Sequence, residues 1–144
     1  MRAALTAAEL EQRLAAEFPE AFHGDSGLAI LEARHRAARV RLVPPGNALR
    51  PGGTISGPTL MLLADVAMYV AVLASIGWVP LAVTTNLNIN FLRKPGAADL
   101  LAEARLMKLG SRLAVGEVRI RSADAAELVA HATSTYSIPR PQDA

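Results

Sequence analysis

The stretch GPTLMLLADVAMYVAVLASIG, residues 57–77, decides the fold of this chain. Pro58 suits a first helical turn, where its missing N–H has no partner to lose. Gly77 suits the residue just past a helix end, and Pro80 lies just beyond it. Between them only Thr59, Asp65, Tyr69 and Ser75 carry polar groups. The helix expected over about 58–76 is therefore apolar on every side, and something must surround it. A bilayer is one such surrounding, but Asp65 divides the segment and leaves only Val66 to Ile76 uncharged before Gly77. A bilayer span needs about 20 apolar residues. A carboxylate at its centre costs about 2.5–3.5 kcal/mol. The expectation is a core helix, with no membrane partner.

Strand patterns flank this helix on both sides. Downstream, LAVTTNLNINFL (81–92) alternates: Val83, Thr85, Leu87, Ile89 and Phe91 on one face, Thr84, Asn86, Asn88 and Asn90 on the other. DLLAEARLMK (99–108), RLAVGEVRIRS (112–122) and ELVAHATSTYSI (127–138) follow, separated by short turns at LGS and SADAA. Four consecutive strands with short turns read as an antiparallel meander. Upstream, GLAILEA (27–33) and ARVRLV (38–43) read as two strands joined by a tight turn around RHRA. Arg39 and Arg41 alternate with Val40 and Leu42, so the arginine cluster reads as a solvated strand face. At the N-terminus, Thr6 and Glu9 fit a capping box, Leu10, Leu14 and Phe18 form one stripe, and Pro19 ends a helix of about 7–18. Glu9, Glu11 and Arg13 interrupt any signal-peptide core. The economical packing wraps an antiparallel sheet of five to six strands around the long helix, an α+β arrangement known as the hotdog fold.

Composition bounds the function. The chain has 144 residues, enough for one domain over 1–144 with its core at about 28–138. The net charge of +2 is too small a positive excess for a nucleic-acid partner. There is no Cys, and the three His stand far apart without ligand spacing, so no metal is expected. A cytoplasmic location is the default expectation.

GGTISG (52–57) is neither a nucleophile elbow, because Ser56 is not central between its glycines, nor a phosphate loop, because no Lys follows. No spacing supports a triad of Ser56, His131 and Asp65. Asp65 itself has Met61, Leu62, Met68 and Tyr69 as its helical neighbours, a poorly hydrated setting that favours a general base. The structural alternative is a carboxylate bonded to a strand hydroxyl such as Thr84 or Thr85. The helix mouth supplies the complement, because its free N–H groups and dipole favour developing negative charge. Gly57 admits a substrate close to the backbone, and its N–H could polarise a carbonyl. Gly57 and Asp65 are eight residues apart, about 12 Å along one helix. One carbonyl must lie about 3 Å from both groups. Two antiparallel copies meet that condition, so this reading requires a homodimer with shared sites.

Three blocks, GGTISGPTLMLLADVA, AVTTNLNINFLRKP and DLLAEARLMKLGSRLAVGEV, resemble the PaaI-like (phenylacetate-degradation-type) acyl-CoA thioesterases of the hotdog superfamily. The resemblance covers about 28–138 and implies hydrolysis of an acyl- or aryl-acetyl-CoA without a cofactor, in a homodimer or dimer of dimers. It implies Asp65 as general base or nucleophile, Gly57 as the polarising N–H, and Thr84, with Thr85 as fallback, as the hydroxyl that holds water. The family's His-Gly-Gly is replaced by Ser56-Gly57-Pro58, and its Asn six residues before that His by Arg50. Ser56 and Arg50 are therefore expected at the substrate. Met61, Met68 and Tyr69 are expected at the pocket floor, and Arg93, Lys94, Lys108 and Arg112 at the nucleotide end of coenzyme A. The rivals are a non-catalytic acyl-CoA binding or sensing protein and a hotdog dehydratase or hydratase. The latter would want a His where Ser56 stands.

Overall fold

A computed structural model describes residues 1–45 and 53–141. The elements in chain order are α1 (Ala7–Glu17), β1 (Leu28–Arg34), β2 (Ala37–Leu42), α2 (Gly57–Ile76), β3 (Val83–Phe91), β4 (Leu100–Leu109), β5 (Leu113–Ser122) and β6 (Leu128–Ser137). The strands form one six-stranded sheet in the order β1-β2-β4-β5-β6-β3, with every pair antiparallel. The sheet wraps α2, as the sequence leads one to expect of a hotdog fold. By length and composition α2 alone, among the described residues, is long and apolar enough to cross a membrane. Here it is the core helix: Leu63, Ala67, Met68, Val70, Ala71, Val72, Leu73 and Ala74 are all fully buried.

Local chemistry sets the helix limits. The capping box of α1 is formed: Glu9 N–H donates to Thr6 Oγ1 and Thr6 N–H to Glu9 Oε1, both at 3.2 Å. Leu10 and Leu14 are fully buried, whereas Phe18, at the C-cap, is partly exposed. α2 ends at Gly77, whose φ of 96° only glycine adopts without strain. Gly116 of β5 lets α2 press onto the sheet: a Cβ there would lie 2.7 Å from Arg105 O and 2.9 Å from Met68 Sδ.

The sheet order corrects the simple meander. Of the four strands after α2, β4, β5 and β6 are joined as consecutive hairpins, whereas β3 pairs with β6 at one edge, and β4 pairs with β2. The physical reason is reach. The β4–β5 and β5–β6 turns are too short for anything but hairpins. The eight residues 92–99, which include Pro95 and Gly96, can span about 26 Å. The three strand spacings from β3 to β4 need only about 14 Å.

β3 also departs from strict alternation. Its register with β6 slips between Thr84 and Asn86, so Thr84 faces Tyr136 while Asn86 faces Thr135. Thr85 is the extra residue of a β-bulge. The bulge turns Thr84 onto the face that carries Leu87, Ile89 and Phe91, whereas alternation alone assigns it to the opposite face.

Candidate active site

Asp65 is half-buried on α2, with one carboxylate oxygen fully engaged. Thr84 Oγ1 donates to Asp65 Oδ1 at 2.6 Å, and Tyr136 Oη donates to the same oxygen at 3.0 Å. The Tyr136 hydroxyl also lies 3.2 Å from the Asp65 carbonyl. Oδ2 has no protein donor among the described residues and is the oxygen left for a substrate or a water. Tyr136 is only 2% exposed. Burial first, and then the Asp65 charge, push its phenol pKa far up, so the hydroxyl stays a neutral donor. Its ring stacks on Tyr69 with centroids 6.0 Å apart, and Tyr69 Oη donates to Pro80 O at 2.8 Å. Sequence reasoning missed Tyr136. Its signal was one large polar-tipped side chain in an inward series otherwise made of Ala130, Ala132 and Ser134.

Behind Asp65 opens an apolar cavity of about 490 Å³. Leu62, Val66, Tyr69, Thr84 and Tyr136 form its near wall, and α1 with the turn after it forms the far one. Tyr69 stands where the pocket floor was expected. Met68 does not: it is fully buried against Gly116 on the sheet side of the helix. Met61 is 40% exposed on the outer surface of α2 and does not line the cavity. The reason is helical phase. Leu62, Val66 and Tyr69 lie to one side of Asp65 around the helix, while Met61 and Met68, seven residues apart and so nearly in phase, both lie to the other. The fallback Thr85 is bulged away from Asp65, and its hydroxyl donates to Thr135 O at 3.2 Å.

The mouth of α2 is a separate place. Ser56 is the N-cap, its Oγ accepting from Thr59 N–H at 3.4 Å and lying 2.8 Å from Thr59 Oγ1. Leu60 N–H is taken by Ser56 O at 3.2 Å, and Pro58 has no N–H. Of the first-turn donors, only the Gly57 N–H is left without a partner among the described residues. Ser56 thus has a structural role that does not require a substrate. Gly57 packs against Phe91, whose ring would be 3.4 Å from a Cβ there. It opens onto a second cavity of about 620 Å³ that it shares with Phe91, Arg93 and Lys94.

Among the described residues, the cavities at Gly57 and at Asp65 are separate. Arg93 and Lys94 join Gly57, with Arg93 also ion-paired to the exposed Glu127. Lys108 and Arg112 sit at the other end of the sheet, at the β4–β5 turn. Arg112 lines a third cavity with Ile76 and Ile138, away from both groups. Arg50 lies outside the described residues. His131 is on the outer sheet face, 2.9 Å from Glu117 Oε2, and shares no hydrogen bond with Ser56 or Asp65. Among the described residues no three His, Asp or Glu are grouped to hold a metal ion.

The family model of the thioesterase superfamily matches residues 52–129, which include Gly57, Asp65 and Thr84. Among curated proteins no sequence matches. A candidate thioesterase from Silicibacter sp. TM1040 is 42% identical over 97% of this chain and 96% of its own, with a TM-score of 0.87. A variant of the phenylacetic acid degradation protein PaaI from Thermus thermophilus is 29% identical over 78% of this chain and 94% of its own, with a TM-score of 0.70. A thioesterase from Haemophilus influenzae, 19% identical over 97% of this chain and 96% of its own, has a TM-score of 0.82 and shares the fold.

Proposed function

We propose, for a chain that belongs to the thioesterase superfamily and is on that ground a thioester hydrolase, that it cleaves acyl-CoA to the free acid and coenzyme A at a site shared between two copies. The observation that carries the reading is the carboxylate of Asp65, with Oδ1 fixed by Thr84 and Tyr136 and Oδ2 left to act. Oδ2 takes a proton from water as water attacks the thioester carbon, or attacks that carbon itself to form an anhydride that water then opens. In both routes the C–S bond breaks and the sulfur leaves as the thiolate of coenzyme A, which is then protonated. The Gly57 N–H of the other copy receives the developing oxyanion.

The exposed edge of β3 supports the dimer. Val83, Phe91 and Leu92 are 52–55% exposed, and Met61 and Leu62 of α2 are 40% and 48% exposed. A nine-residue edge strand with such a border is a ready surface for pairing. Antiparallel pairing of two β3 edges sets the Phe91 end of one copy against the Val83–Thr84 end of the other. Gly57, packed on Phe91, then approaches the partner Asp65, bridging the roughly 23 Å from Thr84 to Phe91 within one strand. Arg93 and Lys94 arrive beside it, suitable for the phosphates of coenzyme A. Neither route requires a metal or an organic cofactor. The proposed setting is the cytoplasm, where coenzyme A thioesters occur, and two dimers pairing back to back would extend the assembly to a dimer of dimers.

The test is release of free coenzyme A from an acyl-CoA panel by wild type and Asp65→Asn. Loss of at least ~10²-fold is expected, the size typical of removing a general base. Equal rates would end the catalytic assignment. Tight acyl-CoA binding without release from any substrate would favour the sensor instead.

A further inference from the structure

The cavity beside Asp65 runs from the carboxylate toward α1, and its far wall bears on what it holds. Resting on the thioesterase reading, we infer that this cavity is the acyl chamber and that Glu17 makes it selective for uncharged, bulky apolar acyl groups over those ending in a carboxylate. Phe18, Phe22 and Trp78 join Tyr69 and Tyr136 around it, so five aromatic rings meet whatever extends past Asp65. Flat apolar walls of this kind reward ring-bearing or branched chains and cannot solvate a charge.

The ionisable groups of the lining all have the same sign or none. Glu17 and Asp65 are acidic, Tyr69 and Tyr136 are neutral phenols, and no Lys, Arg or His among the described residues lines the space. Glu17 stands at the end of α1 and is close enough to Tyr69 to add, after burial, to the upward push on that phenol pKa. The nearest cation on α1, Arg13, lies 5.4 Å over the Trp78 ring and is outside the lining. An acyl chain with a terminal carboxylate would thus lose hydration and meet a like charge where it ends. The far wall at α1 lies outside residues 52–129, the part of the chain matched by the family model.

The experiment measures kcat/KM for acetyl-, hexanoyl-, phenylacetyl- and glutaryl-CoA with wild type, Glu17→Gln, Glu17→Lys and Ala21→Trp. Ala21 lines the chamber, so a Trp there fills it. Wild type should prefer hexanoyl- and phenylacetyl-CoA over glutaryl-CoA by about 100-fold. Glu17 is exposed, so its screened contribution is modest: Glu17→Gln should narrow the preference by roughly three- to tenfold and Glu17→Lys by more, chiefly through the KM for glutaryl-CoA. Ala21→Trp should slow phenylacetyl-CoA far more than acetyl-CoA. An unchanged preference in both Glu17 variants would overturn the role of Glu17. Equal slowing of phenylacetyl- and acetyl-CoA by Ala21→Trp would overturn the placement of the acyl group. Absence of turnover on all four thioesters would instead remove the hydrolase reading beneath both.

Discussion

The two ends of β3 are built to different plans. At its Thr84 end stands a carboxylate held by two hydroxyls, with an apolar chamber behind it. At its Phe91 end stands a helix mouth that offers one backbone N–H and two basic side chains, and among the described residues no group that exchanges a proton near neutral pH. On the proposed reading the first end activates water and the second receives the oxyanion, so that each chain carries two complementary half-sites, eight residues apart along one helix and too far apart to serve one carbonyl.

The sharpest way to break this comparison is to mix two inactive proteins. Asp65→Asn keeps the helix mouth, and Gly57→Pro removes the mouth N–H while keeping the acid. Each variant alone should be nearly inactive. After the subunits exchange, half the dimers are mixed and each mixed dimer holds one intact site, so about a quarter of wild-type activity should return. No recovery, with exchange verified by differently tagged subunits, would mean that the half-sites act within one chain.

A smaller effect tests how the acidic end is furnished. Tyr136→Phe keeps the ring and removes one donor to Asp65 Oδ1. With Oδ1 then held by Thr84 alone, the carboxylate is less firmly oriented, and kcat near neutrality should fall about tenfold or less. An unchanged kcat would reduce Tyr136 to packing.

The smallest effect belongs to the outer sheet face, which the comparison assigns no part in the chemistry. The His131 hydrogen bond, opposed by partial burial and aided by nearby charges including Arg119, holds the Glu117 carboxyl below its usual pKa. A lowered folded-state pKa adds stability above the unfolded value of 4.5, and that stability is lost as pH falls through the folded value. Thermal melts of Glu117→Gln should show a loss under ~1 kcal/mol at neutral pH that fades below pH 4.5, with turnover unchanged. A large loss of activity would show that this face takes part after all.

Much of this was legible from residue types. The apolar run interrupted by Asp65, the Pro and Gly at its ends and the alternating strands gave the core helix and the wrapped sheet, because periodicity and turn chemistry are local properties. The acid at Asp65 and the helix-mouth glycine were also legible as candidates, whereas the hydroxyl partner was narrowed only to Thr84 or Thr85. The placements of Met61 and Met68 were not, since a helix apolar all round gives no phase from which to read its buried side. The crossover after β3 escaped as well, because an eight-residue connection permits either neighbour.

What the sequence determined by itself was the set of parts: one buried helix, one carboxylate, one glycine at the helix mouth, and a separation of eight residues between them. The tertiary structure decided which parts meet. A bulge at Thr85 turns Thr84 inward, Tyr136 arrives from a strand 71 residues downstream, and α1 closes a chamber whose other walls are far away in the chain. Those meetings depend on register and on the packing of distant segments, which no local pattern encodes.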